Sequence, residues 1–80
     1  MSDLADLLGF LVRALVAEPD AVEVVELEED DGTIVLELTV ADEDYGKVIG
    51  RGGRTASALR TVVKAVAARA DRRVLVDIVD

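Results

Sequence analysis

Leu4, Leu7, Leu8, Leu11, Val12, Leu15 and Val16 recur at three- and four-residue spacing, the pattern of one apolar helix face over residues 3–17. Asp3 is placed to cap that helix and Pro19 to stop it. Ala21 to Leu27 reads as a valine-rich strand. The polar run Glu28-Glu29-Asp30-Asp31-Gly32 then ends in Asp-Gly, a hairpin signal. Ile34, Leu36, Leu38 and Val40 alternate with Val35, Glu37 and Thr39, which predicts a second strand with a defined core face. Asp42 suits the N-cap of a short helix running to about Ile49, and Gly50 is placed to end it in a left-handed conformation. Leu59, Val62, Val63, Val66, Ala67 and Ala70 form the expected buried stripe of a helix over residues 53–70, with Arg54, Ser57, Thr61 and Lys64 opposite. Val74, Val76 and Ile78 mark a last strand. The order helix–strand–strand–helix–helix–strand predicts one α+β domain over residues 1–80, its helices packed on one face of a three-stranded sheet.

Charge changes this picture more than composition does. Half the residues are apolar, as a packed core requires, and the net charge is −8. Residues 1–45 carry fourteen acids and one base, whereas residues 46–73 carry eight bases against Asp71 alone. A basic block of that kind can hold phosphate on an acidic chain, although overall repulsion weakens the binding. Cysteine and histidine are both absent, which removes thiolate metal sites, disulfides and the commonest general base. No cofactor or metal is expected. No apolar run approaches a membrane span and no signal peptide opens the chain, so a cytoplasmic location is the expectation.

The basic block is centred on Gly46-Lys47-Val48-Ile49-Gly50-Arg51-Gly52-Gly53-Arg54. Glycines at a junction between two helices let backbone amides approach a ligand, and the following helix N-terminus adds partial positive charge. With Lys47, Arg51 and Arg54 beside it, the segment suits a chain of phosphates, and single-stranded RNA is the expected ligand. The amides of Arg51 to Arg54 would meet phosphate, and Val48 and Ile49 would form part of an apolar floor. The plainer reading is a helix–turn–helix junction that needs glycine for geometry only. The three adjacent cations favour binding over that reading.

Gly50-Arg51-Gly52-Gly53, set between two helices and preceded by Val48-Ile49, resembles the Gly-x-x-Gly loop of the type II KH domain. With Gly-Lys-Val-Ile-Gly-Arg before the second glycine and Leu-Arg-Thr-Val-Val after it, nearly the whole chain looks like the small bacterial KhpA-type RNA-binding proteins. The resemblance implies an RNA chaperone that holds a few nucleotides at the loop. It also implies pairing with a larger KH-containing partner of the KhpB (Jag or EloR) type, with effects on RNA levels, cell elongation and peptidoglycan homeostasis. Gly52 departs from the pattern by supplying no side chain, which leaves Arg51 as the one cation between the framing glycines.

Arg60, Lys64, Arg69, Arg72 and Arg73 can extend the basic surface, with one or two expected to touch RNA. Glu28 to Asp31 reads as an exposed hairpin tip, Tyr45 as a core or groove-edge residue, and Phe10 as partly buried. Scarce aromatics remove most base stacking, worth about 1–3 kcal/mol per base, so binding by one domain should be weak and unspecific. A second copy or a partner would then add avidity. Ala58, Thr61, Ala65 and Ala68 form a small-residue helix face for such a contact, or are ordinary surface alanines.

Catalysis is not expected. Gly53 is followed by Arg54 rather than the Lys-[Ser/Thr] of a Walker loop, and the third glycine of a dinucleotide fingerprint is missing. The rival is an interaction or dimerisation module that keeps the fold without binding RNA, which would have no need of cations around open amides.

Overall fold

The computed structural model describes residues 3–80. Its elements are helix α1 (Asp3–Arg13), strands β1 (Glu23–Glu28) and β2 (Ile34–Thr39), helices α2 (Tyr45–Ile49) and α3 (Arg54–Arg69), and strand β3 (Val74–Ile78). Short 3₁₀ turns occupy Pro19–Ala21, Asp42–Asp44 and Arg51–Gly53. The sheet has the order β1-β2-β3. β1 and β2 form an antiparallel hairpin with Leu27 opposite Val35, and β2 pairs β3 in parallel with Leu36 opposite Val76. A parallel neighbour needs a long crossover, and α2, the glycine loop and α3 supply it. The α+β order predicted above is the order observed.

The alternation of β2 decides which face is core. Ile34, Leu36 and Leu38 are buried under the helices, and Val74, Val76 and Ile78 extend that surface on β3. Leu8 and Val12 of α1, Val48 of α2 and Val63 of α3 close it from above, all four without exposure. Burying side chains of this kind contributes on the order of 1.5–3 kcal/mol each.

Helix α1 is shorter than its periodicity suggests. The Ala14 amide still reaches Phe10 O at 3.3 Å, but Leu15 N bonds Val12 O at 2.9 Å, a tighter turn that ends the helix well before Pro19. Ala17 and Glu18 then give their amides to the Asp44 carboxylate instead of to a next helical turn. Asp3 is the first residue of α1, not its cap. Asp42 likewise lies inside a 3₁₀ turn whose N-cap position is Ala41.

Three apolar residues assigned above to buried faces are exposed instead: Leu15 at 46%, Val62 at 44% and Val66 at 41%. Ala70 is exposed too, and Phe10, expected to be partly buried, is 70% exposed. The core face of α3 is narrower than the apolar stripe in its sequence, running through Ala56, Leu59, Val63 and Ala67.

Candidate nucleic-acid interface

Helix α2 is one turn long and ends where Gly50 N–H donates to Gly46 O at 2.8 Å. Gly50 then takes φ 79°, ψ 170°. This region is essentially restricted to glycine, and it is not the left-handed helical conformation expected of it. Space adds a second constraint, because a Cβ at Gly50 would lie 2.8 Å from Thr55 N and 2.7 Å from Thr55 Cβ. Gly52 (φ 64°, ψ 20°) and Gly53 (φ 76°, ψ 14°) are both left-handed. Two such residues in succession turn the chain back into α3 at a cost that side-chain-bearing residues would raise.

The hydrogen bonds of this turn divide its amides into two pairs. Gly53 N–H donates to Gly50 O at 3.1 Å, and Arg54 N–H donates to Arg51 O. Those two amides are engaged inside the loop, which corrects the expectation that all four from Arg51 to Arg54 face a ligand. The amides of Arg51 and Gly52 have no acceptor among the described residues, and both residues are exposed. They sit just ahead of a 16-residue helix whose N-cap is glycine with no side-chain cap. Open amides at a helix N-terminus attract negative charge. Arg51 and Arg54 are exposed beside them, and Lys47 projects from the last turn of α2.

Val48 does not line this surface. Its side chain has no exposure and packs into the core, and Ile49 is partly buried against the same cluster. A one-turn helix cannot point Lys47 and Val48 the same way, so the residue next to the outward cation is the one that anchors α2. Only Ile49 offers an apolar edge.

Lys47 Nζ lies 3.4 Å from Asp44 Oδ1. Asp44 has no exposure and accepts the amides of Ala17 and Glu18, each at 3.0 Å. The Ala17 hydrogen bond, then those of Glu18 and Lys47, hold its carboxyl below the ordinary 3.8 against the opposing effect of burial. One carboxylate thus ties the start of α2 to the α1–β1 connection and shares the charge of a loop cation. Its sequence neighbours Asp42 and Glu43 are exposed, and a run of three acids does not show which one turns inward.

Further cations follow α3 toward the free edge of β3. Arg60 is half-buried, with Nε donating to Val76 O at 3.2 Å. Lys64 lies one helical turn on and lines a shallow depression with Arg72, Arg73, Val74 and Leu75. Arg72 is already engaged by Glu28 Oε1 and Gly32 O, both at 3.4 Å. Lys64 and Arg73 therefore extend the basic surface more freely than Arg60 or Arg72. Ala58, Thr61, Ala65 and Ala68 are exposed, as a contact face requires, and the Thr61 hydroxyl donates to Ser57 O at 3.0 Å. No metal-binding cluster of acids occurs among the described residues, and no helix among them is long and apolar enough to cross a membrane.

A mixed three-stranded sheet, with a glycine turn between the two crossover helices, defines a type II KH domain. The KhpA/KhpB KH-domain family model matches residues 5–78, and the chain belongs to that family. It is 49% identical over 76 residues to the RNA-binding protein KhpA of Caldanaerobacter subterraneus subsp. tengcongensis, covering 95% of this chain and 100% of the relative. It is 52% identical over 77 residues to the RNA-binding protein KhpA of Leifsonia xyli subsp. xyli, covering 96% and 97%. Among solved structures, the fold matches Era in complex with MgGDPNP and nucleotides 1506–1542 of 16S ribosomal RNA, with a TM-score of 0.64 and 16% identity. That match covers 94% of this chain and 28% of the Era chain.

Proposed function

We propose that this chain holds single-stranded RNA at the Gly50–Gly53 loop and acts as an RNA chaperone in the cytoplasm. A backbone phosphate accepts the amides of Arg51 and Gly52, and the side chains of Arg51, Arg54 and Lys47 meet that phosphate and its neighbours. Ile49 and the exposed flank of α3 carry the bases. The observation that supports this reading is the pair of unengaged amides, framed by glycines that the backbone geometry requires and flanked by three cations. The relatives named RNA-binding protein KhpA point the same way. The family's larger KH-containing partner of the KhpB type, or a second copy, supplies the affinity that one aromatic-poor domain lacks. Roles in RNA levels, cell elongation and peptidoglycan homeostasis, and the absence of catalytic activity, belong to the same proposal.

The test compares the native chain with Arg51→Asp/Gly52→Asp on a pool of short single-stranded RNAs at two salt concentrations. Aspartate tolerates the left-handed conformation of Gly52 and meets no atom within 4 Å there, so the helices stay folded by circular dichroism. Salt-sensitive binding that falls at least tenfold in the variant is expected; equal binding would move RNA away from the loop. A second reading, an interaction module that does not hold RNA, is favoured by the exposed apolar residues Phe10, Leu15, Val62 and Val66. Absence of binding by both proteins would support it.

A further inference from the structure

The helices cover one face of the sheet and leave the other open. Val25 and Leu27 of β1, Leu75 of β3 and Val79 just past it lie on that open face, each 40–48% exposed. They are half of the large apolar side chains exposed among the described residues. Strand register sorts the face into rows. Leu27, Val35 and Leu75 form an apolar row, and Val25, Glu37 and Asp77 form the next. Glu23, at the start of β1, lies two residues from Val25 on the same side. Scattered exposed apolar residues are ordinary, but a contiguous patch marks a contact surface.

The charge on this face is of one sign. The three strands contain no lysine or arginine. Glu37 and Asp77 are side by side on neighbouring strands, and neither has an ion pair among the described residues. Like charges in direct register oppose sheet pairing. Arg73, just ahead of β3, is near enough to Asp31 of the hairpin tip to help lower that carboxyl.

We propose that the open sheet face docks a cationic amphipathic helix supplied by a protein partner. Apolar side chains of that helix rest on Leu27, Val35 and Leu75, and its lysines or arginines meet Glu37, Asp77 and Glu23. Charge and shape choose the occupant. Carboxylates without counter-ions attract cations and repel both RNA and an anionic membrane surface. They also oppose a second copy placed face to face, because acid would meet acid. An extended segment would pair with a strand edge through backbone bonds, whereas a sheet face offers side chains, and a helix supplies the covering layer. Leu27 and Glu23 are four residues apart, roughly 13 Å along the strand, which two to three helical turns span. The inference goes beyond the proposed RNA site and its KH-containing partner. The glycine loop joins two helices of the opposite layer, so a helix on the sheet face leaves it free.

The probe is a fluorescein-labelled synthetic helix of about 18 residues, leucine on one face and lysine on the other. The full chain is titrated into it at about 0.15 M salt without RNA, so the outcome does not depend on the glycine loop. Saturable binding by anisotropy is expected, and the amide resonances it moves should lie on β1, β2 and β3. Val25→Thr/Leu27→Thr removes apolar contact while keeping β propensity. That variant and Glu37→Gln/Asp77→Asn should each weaken binding on the order of tenfold. Phe10→Thr/Val62→Thr on the helical face and Glu29→Gln/Asp30→Asn at the hairpin tip make comparable changes elsewhere and should bind like the native chain. Circular dichroism checks the fold of every variant, and the resonance map of the native chain decides alone if a sheet variant unfolds. The inference is overturned by the absence of saturation up to millimolar chain, or by resonance changes confined to α1 and α3. It is equally overturned if the hairpin-tip variant weakens binding as much as Glu37→Gln/Asp77→Asn, which would reduce the attraction to net charge.

Discussion

Two glycine-containing turns lie in this small molecule, and they set their open amides in opposite electrostatic surroundings. In the β1–β2 turn Glu29 N donates to Thr33 O at 2.8 Å, Gly32 N to Glu29 O at 2.9 Å, and Thr33 N to Asp31 Oδ1 at 2.9 Å, while the amides of Asp30 and Asp31 have no acceptor among the described residues. Arg72 then spans from Glu28 to the Gly32 carbonyl. The Gly50–Gly53 turn likewise engages the amides of Gly53 and Arg54 and leaves those of Arg51 and Gly52 without an acceptor among the described residues. Both turns contain glycine at positive φ, so glycine alone does not separate a structural turn from a binding one. The difference lies in the charge around the open donors. Those of Asp30 and Asp31 sit in a run of four acidic residues that repels an anion, whereas those of Arg51 and Gly52 sit among cations and form an anion site.

The sharpest way to break the comparison is Gly50→Ala. The methyl group would have to occupy space 2.8 Å from the Thr55 backbone in a conformation that glycine alone adopts readily. Strain and overpacking together should cost about 3 kcal/mol of stability. RNA binding should fall with it even under conditions where the domain remains folded, because the turn can no longer present its amides. A denaturant titration alongside RNA binding checks both; a variant with native stability and native affinity would remove the special status of Gly50.

That constraint on Gly50 was only partly legible in the sequence. The alternation of Ile34, Leu36 and Leu38, and of Val74, Val76 and Ile78, fixed two strands and their core faces, because a period of two has one solution against a one-sided core. The glycine segment likewise stood out as a loop. Its individual roles did not, since Gly50 is held by a neighbour five residues on and by a ψ angle that no spacing encodes. The boundary of α1 was also hidden. Leu15 and Val16 continue its period, yet the chain leaves the helix to give two amides to Asp44, a partner more than twenty-five residues away. Val62 and Val66 misled for a different reason: they have the right spacing for core, but the buried face of α3 runs through Ala56, Leu59, Val63 and Ala67 and leaves them outside it.

Asp44 provides the next largest effect. Its folded-state carboxyl is held below its ordinary value, chiefly by the Ala17 amide. The stabilisation is therefore complete above the unfolded pKa, near 3.8, and is lost as pH falls through the lower folded value. Asp44→Asn should lower the denaturation midpoint at neutral pH by on the order of 10 °C. It should also flatten the loss of stability that the native chain shows below about pH 4. A residual acid limb should remain, because the Thr33 amide also lowers the Asp31 carboxyl. Thermal melts of both proteins from neutral to acidic pH decide the matter; an unchanged acid limb would mean that the Asp44 tie is dispensable.

At the acidic hairpin turn the matching experiment should do far less. Gly32→Ala places a methyl in open space at φ 89°, so only the left-handed strain counts, about 1 kcal/mol. RNA affinity, corrected for the folded fraction, should not change. A fall in affinity comparable to that of Gly50→Ala would show that RNA reaches the hairpin, and the distinction between the two turns would fail.

The smallest effect divides the cations of the open turn among themselves. Lys47 shares its charge with a buried carboxylate 3.4 Å away, whereas Arg51 has no acidic partner among the described residues. If each meets one phosphate, removing Arg51 should reduce the slope of log affinity against log salt by about 0.7, the value for one contact on a single strand. Lys47→Met should reduce it by less, because Asp44 already neutralises part of the charge that would displace a counterion. Removing Lys47 in an Asp44→Asn background should then recover the full decrement, provided the double variant is measured where it stays folded. Equal slopes for Arg51→Met and Lys47→Met in the native background would show that the Asp44–Lys47 pair opens when phosphate arrives. Asp44 would then hold the fold of α2 without tempering the charge at the loop.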